Sequence, residues 1–93
     1  MPTPPVKWSV PALNDFRRQI AYYDDPTRAN EAAAAIDKAI RTISKMPQIG
    51  VKVRDPSTRE YQVRFGRGAL IVRYSIQASV ILILHIYHNS QQR

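Results

Sequence analysis

Residues 60–77 read EYQVRFGRGALIVRYSIQ, and this stretch decides the fold. Tyr61, Val63 and Phe65 alternate with Glu60, Gln62 and Arg64, the period-2 pattern of a strand with one buried face. Gly66-Arg67-Gly68 supplies two residues able to take positive φ, so a hairpin turn is predicted there. Leu70, Val72, Tyr74 and Ile76 then share one face of a second strand. After the short turn Gln77-Ala78-Ser79, Val80 to about Tyr87 is apolar on both faces, the reading of a central strand covered on each side. The C-terminal part is therefore a three-strand meander.

Upstream the period changes. Pro47, Gly50 and Asp55-Pro56-Ser57 mark a loop. Before it, Ala29, Ala32, Ala33, Ile36, Ile40 and Ile43 recur at helical spacing, and the helix should run from Pro26, capped by Asp25, to about Lys45. Leu13, Phe16, Ile20 and Tyr23 give an earlier helical stripe that starts near Ser9-Val10-Pro11. The short connection at Asp24-Asp25 makes the two helices an antiparallel hairpin. Val6, Trp8 and Val10 share one face of a short first strand, and the proline-rich residues 1–5 read as a flexible arm. The predicted order is β-α-α-β-β-β: an α+β fold with the helical hairpin on one face of a small, mainly antiparallel sheet.

With 93 residues the chain has room for one small domain, 1–93. There is no cysteine, which excludes disulfide scaffolds and thiolate chemistry, and His85 and His88 are too few for a histidine-rich metal site. No metal and no cofactor are expected. The longest apolar runs, Ala32 to Ile36 and Val80 to Leu84, are far shorter than the roughly 20 residues of a membrane helix, and the start lacks signal-peptide character. A cytoplasmic protein is expected. The formal charge of +7 is uneven: seven basic and five acidic residues in 1–50, seven and two in 51–93. A positive field of that kind attracts nucleic acid or acidic protein segments.

Several short motifs resemble the ParE/RelE superfamily of toxins from type II toxin–antitoxin, or plasmid-stabilisation, systems. They are Val6-Lys7-Trp8-Ser9, Pro47-Gln48-Ile49-Gly50, Thr58-Arg59-Glu60 and the closing run from Phe65 through Val72-Arg73-Tyr74 to His88. Val51 departs from the arginine usual after the glycine, and Ile71 from the arginine that the ribonuclease branch usually carries three residues before the middle-strand tyrosine. The resemblance implies the fold already derived, a cognate antitoxin with an acidic toxin-binding segment, and one of two targets. ParE-like members bind DNA gyrase without catalysis; RelE-like members cut messenger RNA on the ribosome.

The ParE-like branch is the expectation here, as a gyrase-poisoning binder. The alternative is a ribosome-dependent endoribonuclease using Glu60, Arg73 and His88, since histidine titrates near neutral pH and arginine holds phosphate. A third possibility is a non-toxic module that binds antitoxin or nucleic acid. Arg64, Arg67, Arg73 and His88 are the target-binding candidates, the three arginines as a basic patch on one hairpin. Tyr22, Ala33 and Ala35 are the antitoxin-binding candidates, because Tyr22 and Tyr23 cannot both face the core and an alanine surface admits close approach. Trp8 is expected as a core anchor, Glu60 as the partner of Arg59 or Arg73, and His85 as a strand-face residue.

Overall fold

The computed structural model describes residues 4–53 and 55–90, so the first three residues of the expected arm lie outside them. Strand β1 (Val6–Trp8) leads into helices α1 (Val10–Tyr22) and α2 (Pro26–Lys45). A 3-10 turn (Pro47–Ile49) then connects to β2 (Val51–Val53), β3 (Asp55–Phe65), β4 (Gly68–Gln77) and β5 (Val80–His88). The sheet order is β1-β5-β4-β3-β2, with β1 parallel to β5 and every other pair antiparallel. The α+β architecture with two helices on the sheet is the one expected.

Both helices start where their caps dictate. Ser9 Oγ accepts the Ala12 N–H at 3.1 Å, and Asp25 Oδ1 accepts the Thr27 N–H at 3.0 Å. Proline lies in the first turn of each helix, where its missing N–H costs nothing. Residue 10 is thereby helical, and β1 ends two residues earlier than the alternation suggested. Pro5, placed in the flexible arm, is tied to the sheet by its carbonyl, which accepts the Ile81 N–H at 2.9 Å.

Ala32, Ile36, Ala39 and Ile43 of α2 pack with Leu70, Val72 and Tyr74 of β4 and Ile81, Ile83 and Ile86 of β5. Each of these is essentially inaccessible to water, and burying an isoleucine side chain contributes about 1.5–3 kcal/mol. Trp8 meets Phe16 edge-on with ring centroids 5.7 Å apart, as a core anchor should. On α1 the buried residues are Ala12, Asp15 and Gln19, while Leu13 is turned outward. Phe16, Ile20 and Tyr23 of the expected stripe do pack against the core, and the buried face extends to Ala12, Asp15 and Gln19, where Asp15 meets β5.

Two stretches differ from the sequence reading. The presumed loop holds β2 and the start of β3, so among the described residues the sheet has five strands rather than four. Three residues are too few to display a period, and Pro56 is tolerated near the start of β3, where the β2–β3 pairing is irregular. The side chains of β5 do not keep one phase along its length. The β4–β5 register shifts between Arg73 and Tyr74, which pair with His85 and Ile83 and leave Leu84 as the extra residue. This β-bulge inverts the side-chain phase: Ile81 and Ile83 face the helices before it, Ile86 and His88 after it.

The connector is locked by Tyr74. Its buried hydroxyl donates to the Pro47 carbonyl at 2.6 Å and accepts the Gly50 N–H at 3.0 Å. Arg59 reinforces this by donating to the Gln48 and Gly50 carbonyls at 3.1 and 2.7 Å. Burial raises the Tyr74 pKa above its ordinary 10.0, partly offset by the Gly50 hydrogen bond. The folded state therefore holds the phenolic proton more tightly than the unfolded chain. That stability is complete below about pH 10 and is lost as pH rises through the raised value. Tyr74→Phe should strand both backbone groups, cost about 1–3 kcal/mol, and remove the Tyr74 component of this alkaline loss. Equal stability of variant and parent in urea at neutral pH would count against the lock.

Candidate functional site on the outer sheet face

Glu60, Arg73 and His85 are cross-strand partners, one row running through β3, β4 and β5. They lie on the face opposite Val72 and Ile86, which look toward the helices. Arg73 Nε and Nη2 sit 2.8 and 2.6 Å from Glu60 Oε2, and the Tyr87 hydroxyl donates to the same oxygen at 3.1 Å. The guanidinium carbon is 5.9 Å from the centre of the Tyr87 ring. Glu60 holds the Arg73 proton more firmly than usual, chiefly through that hydrogen bond. Burial, with the Glu60 charge added, pushes the Tyr87 phenol up, so it stays protonated at neutral pH.

Behind the row stands Asp15 of α1. Its Oδ2 lies 2.9 Å from His85 Nδ1 and accepts the Ile86 N–H at 3.0 Å, while Oδ1 meets Arg18. The carboxylate is almost fully covered, whereas the His85 side chain is 49% exposed. Asp15, Arg73, His85 and Tyr87 line a groove of about 330 Å³. A second groove of about 330 Å³ continues from Arg73 and His85 toward Ser9 and Thr58. An acid–base pair, a cation and a protonated phenol thus share one open concave surface.

The sequence candidates distribute differently. His88 is on the inner face and 5% exposed; Nε2 lies 2.7 Å from the Phe65 carbonyl and Nδ1 accepts the Ser90 N–H at 3.2 Å. Both nitrogens are occupied and the ring is across the sheet from Glu60 and Arg73. His88 is therefore not brought together with Glu60 and Arg73, as the ribonuclease set required, and fastens the end of β5. Glu60 pairs with Arg73, as one of the two expectations had it, and not with Arg59. Its Oε2 is already shared by Arg73 and Tyr87.

The three hairpin arginines do not form one patch. Arg64 and Arg67 are exposed at the turn, whereas Arg73 is six residues along β4, about 20 Å from Arg67 at strand rise. Tyr22 is 63% exposed, as expected. Ala33 is half-buried and Ala35 packs on the chain's own core, so the alanine surface is only partly available.

Asp15 and Tyr87 went unnoticed in the sequence, and His85 was given no chemistry. The two-residue turn Gly66-Arg67 does make the Glu60–Arg73 pairing legible. A regular register beyond the next turn would set Leu84 opposite Arg73; the bulge substitutes His85. No one-dimensional pattern announces that substitution.

Comparisons with known proteins agree with this architecture. The profile of the family described as "ParE toxin of type II toxin-antitoxin system, parDE" matches residues 6–93. The chain is 32% identical over 87 residues to "Toxin RelE1" of Caulobacter vibrioides, covering 91% of this chain and 92% of that protein. Its fold is similar to a chain of the chromosomal ParDE toxin–antitoxin system of P. aeruginosa (TM-score 0.72, 19% identity, 92% and 96% of the two chains). It is also similar to a chain of the RelBE2 toxin–antitoxin complex of Mycobacterium tuberculosis (TM-score 0.65, 22% identity, 95% and 93%). Among the described residues no helix is long and apolar enough to cross a membrane. With that match along nearly its whole length, the chain belongs to the ParE toxin family of type II toxin–antitoxin systems, within the ParE/RelE superfamily.

Proposed function

We propose that this toxin acts by cleaving RNA at the Glu60–Arg73–His85 row and is neutralised by a cognate antitoxin. The observation that carries the reading is His85: a half-exposed imidazole whose Nδ1 is engaged by a buried carboxylate, in a groove with Arg73 and Tyr87. A surface that only binds another protein has no need of an oriented imidazole beside a cation and a phenol.

Cleavage proceeds by attack of the 2′-hydroxyl on its neighbouring phosphate. His85 Nε2 takes the hydroxyl proton as the P–O2′ bond forms. The P–O5′ bond breaks, and the leaving oxygen takes the proton of the Tyr87 hydroxyl. Arg73 stabilises the charge on the phosphate and then on the phenolate. The products are a 2′,3′-cyclic phosphate and a 5′-hydroxyl, and proton return from His85 to Tyr87 through water restores the site.

The second reading, inhibition of DNA gyrase without catalysis, draws on Arg64 and Arg67. They project from the hairpin tip, well away from the row, as a binding contact would. The experiment sets both targets side by side: the purified chain with translating ribosomes and messenger RNA, and with gyrase and relaxed plasmid. RNA fragments ending in cyclic phosphate, with gyrase unaffected, are expected. Linear plasmid that requires both proteins, with intact RNA, overturns the cleavage reading in favour of gyrase.

The antitoxin partner is supported by the similar chains, which come from toxin–antitoxin assemblies. A net charge of +7 suits an acidic segment. Tyr22 and Ala33 offer it surface. A bulky residue at Ala35 would instead disturb the toxin's own packing.

A further inference from the structure

We infer that Asp15 is a positioning residue for His85, acting through the bulge of β5; this rests on the RNA-cleavage reading above. In a regular strand residue 85 would continue the phase of Ile81 and Ile83 and point under the helices. The extra residue Leu84 turns His85 to the outer face. It also turns the Ile86 N–H toward α1, where the Asp15 carboxylate accepts it. The same oxygen meets His85 Nδ1.

The helix is seated on this bulge at two points. The Ser9 N–H donates to the Ile83 carbonyl at 3.0 Å and Ser9 Oγ to the Leu84 carbonyl at 3.2 Å. Asp15, six residues further along α1, takes Ile86. The cap of α1 and a side chain two turns on thus bracket the bulge and set the imbalance in the strand at one place.

The chemical consequence lies in the tautomer. An ionised carboxylate only accepts hydrogen bonds, so the proton at this contact sits on His85 Nδ1. The lone pair of the neutral ring is then on Nε2, the atom the cleavage step requires as base. The negative charge also stabilises the imidazolium that forms once Nε2 has taken a proton. Arg18, itself largely exposed, pairs with the other carboxylate oxygen and leaves this geometry intact.

Asp15→Asn separates position from charge, because its amide oxygen can still accept the Ile86 N–H. Single-turnover and steady-state cleavage of RNA on ribosomes would be measured for parent and variant, together with ¹⁵N imidazole shifts of the parent. The expected result is an Nδ1–H tautomer in the parent, and a fall in kcat of at least about 100-fold in the variant with KM changed by less than about threefold. Parental kcat in Asp15→Asn while His85→Ala is inactive would overturn the positioning role and leave the cleavage reading standing. An Nε2–H tautomer in the parent would overturn it too, and decides the matter if the variant does not fold. A parent that cuts no RNA overturns the cleavage reading itself, and with it this inference.

Discussion

His85→Ala is expected to lower kcat for RNA cleavage by about 10²–10⁴-fold, the contribution of a positioned general base. Folding and antitoxin binding should be kept, because the side chain is half exposed and lies outside the hydrophobic core. The comparison that gives this result its meaning is His88→Ala. That ring is buried and fastens the end of β5 to the Phe65 carbonyl, so its loss should cost about 1–3 kcal/mol of stability. Chemistry should be untouched in the molecules that fold. Cleavage rates and urea midpoints measured on both variants sort the two histidines. Full activity in His85→Ala with inactive, well-folded His88→Ala would reverse the assignment.

Gly50→Ala should produce the largest loss of stability relative to the atoms added. A Cβ at this position would stand 2.6 Å from the Tyr74 hydroxyl oxygen and 2.9 Å from the Glu60 carbonyl oxygen. The neighbour with any freedom is the Tyr74 ring, and it is fully buried and held at both ends of its hydroxyl. Forcing one methyl group into such a site costs about 1–3 kcal/mol, and displacing Tyr74 adds the loss of its hydrogen bonds. For a domain of this size each kcal/mol lowers Tm by about 4–8 °C. A calorimetric Tm within a degree of the parent would show that the connector yields more easily than its packing implies. Because Gly50 leans on the backbone of Glu60, a partly folded variant should also lose order in the row.

The glycine at 68 makes a related point about what a sequence conceals. The turn motif Gly66-Arg67-Gly68 suggests two conformational glycines, yet only Gly66 takes a positive φ, at 64°. Gly68 instead gives room: a Cβ there would fall 2.1 Å from Asn89 Oδ1, the tip of an exposed side chain that would lose its hydrogen bond from the Ala69 N–H on moving, and 2.9 Å from the buried His88 ring. Residue type was legible, while the surroundings that favour it include a residue twenty-one positions away.

The local rules reached a long way in this chain. Among the described residues, period 2 in residues 6–10 and 60–77, the apolar run from Val80, and period 3.6 between the prolines, with the caps Ser9 and Asp25, specify six of the seven helices and strands and their order. They do so because each pattern records which face of one element is dry, and a two-residue turn sets its own register. Tertiary structure alone decided the rest. The strand β2 exists because β3 offers it an edge, since three residues carry no period of their own. The bulge at Leu84 exists because α1 satisfies the backbone groups it releases, through Ser9 and Asp15. That single insertion sends His85 outward to the row and His88 inward to the core, the opposite of the faces an unbroken strand would give them. Two histidines three residues apart on one strand are equivalent in composition and in β-propensity. Only the phase of the pleat, fixed by a helix seventy residues earlier in the chain, distinguishes the imidazole that can accept a proton from the one that holds the strand in place.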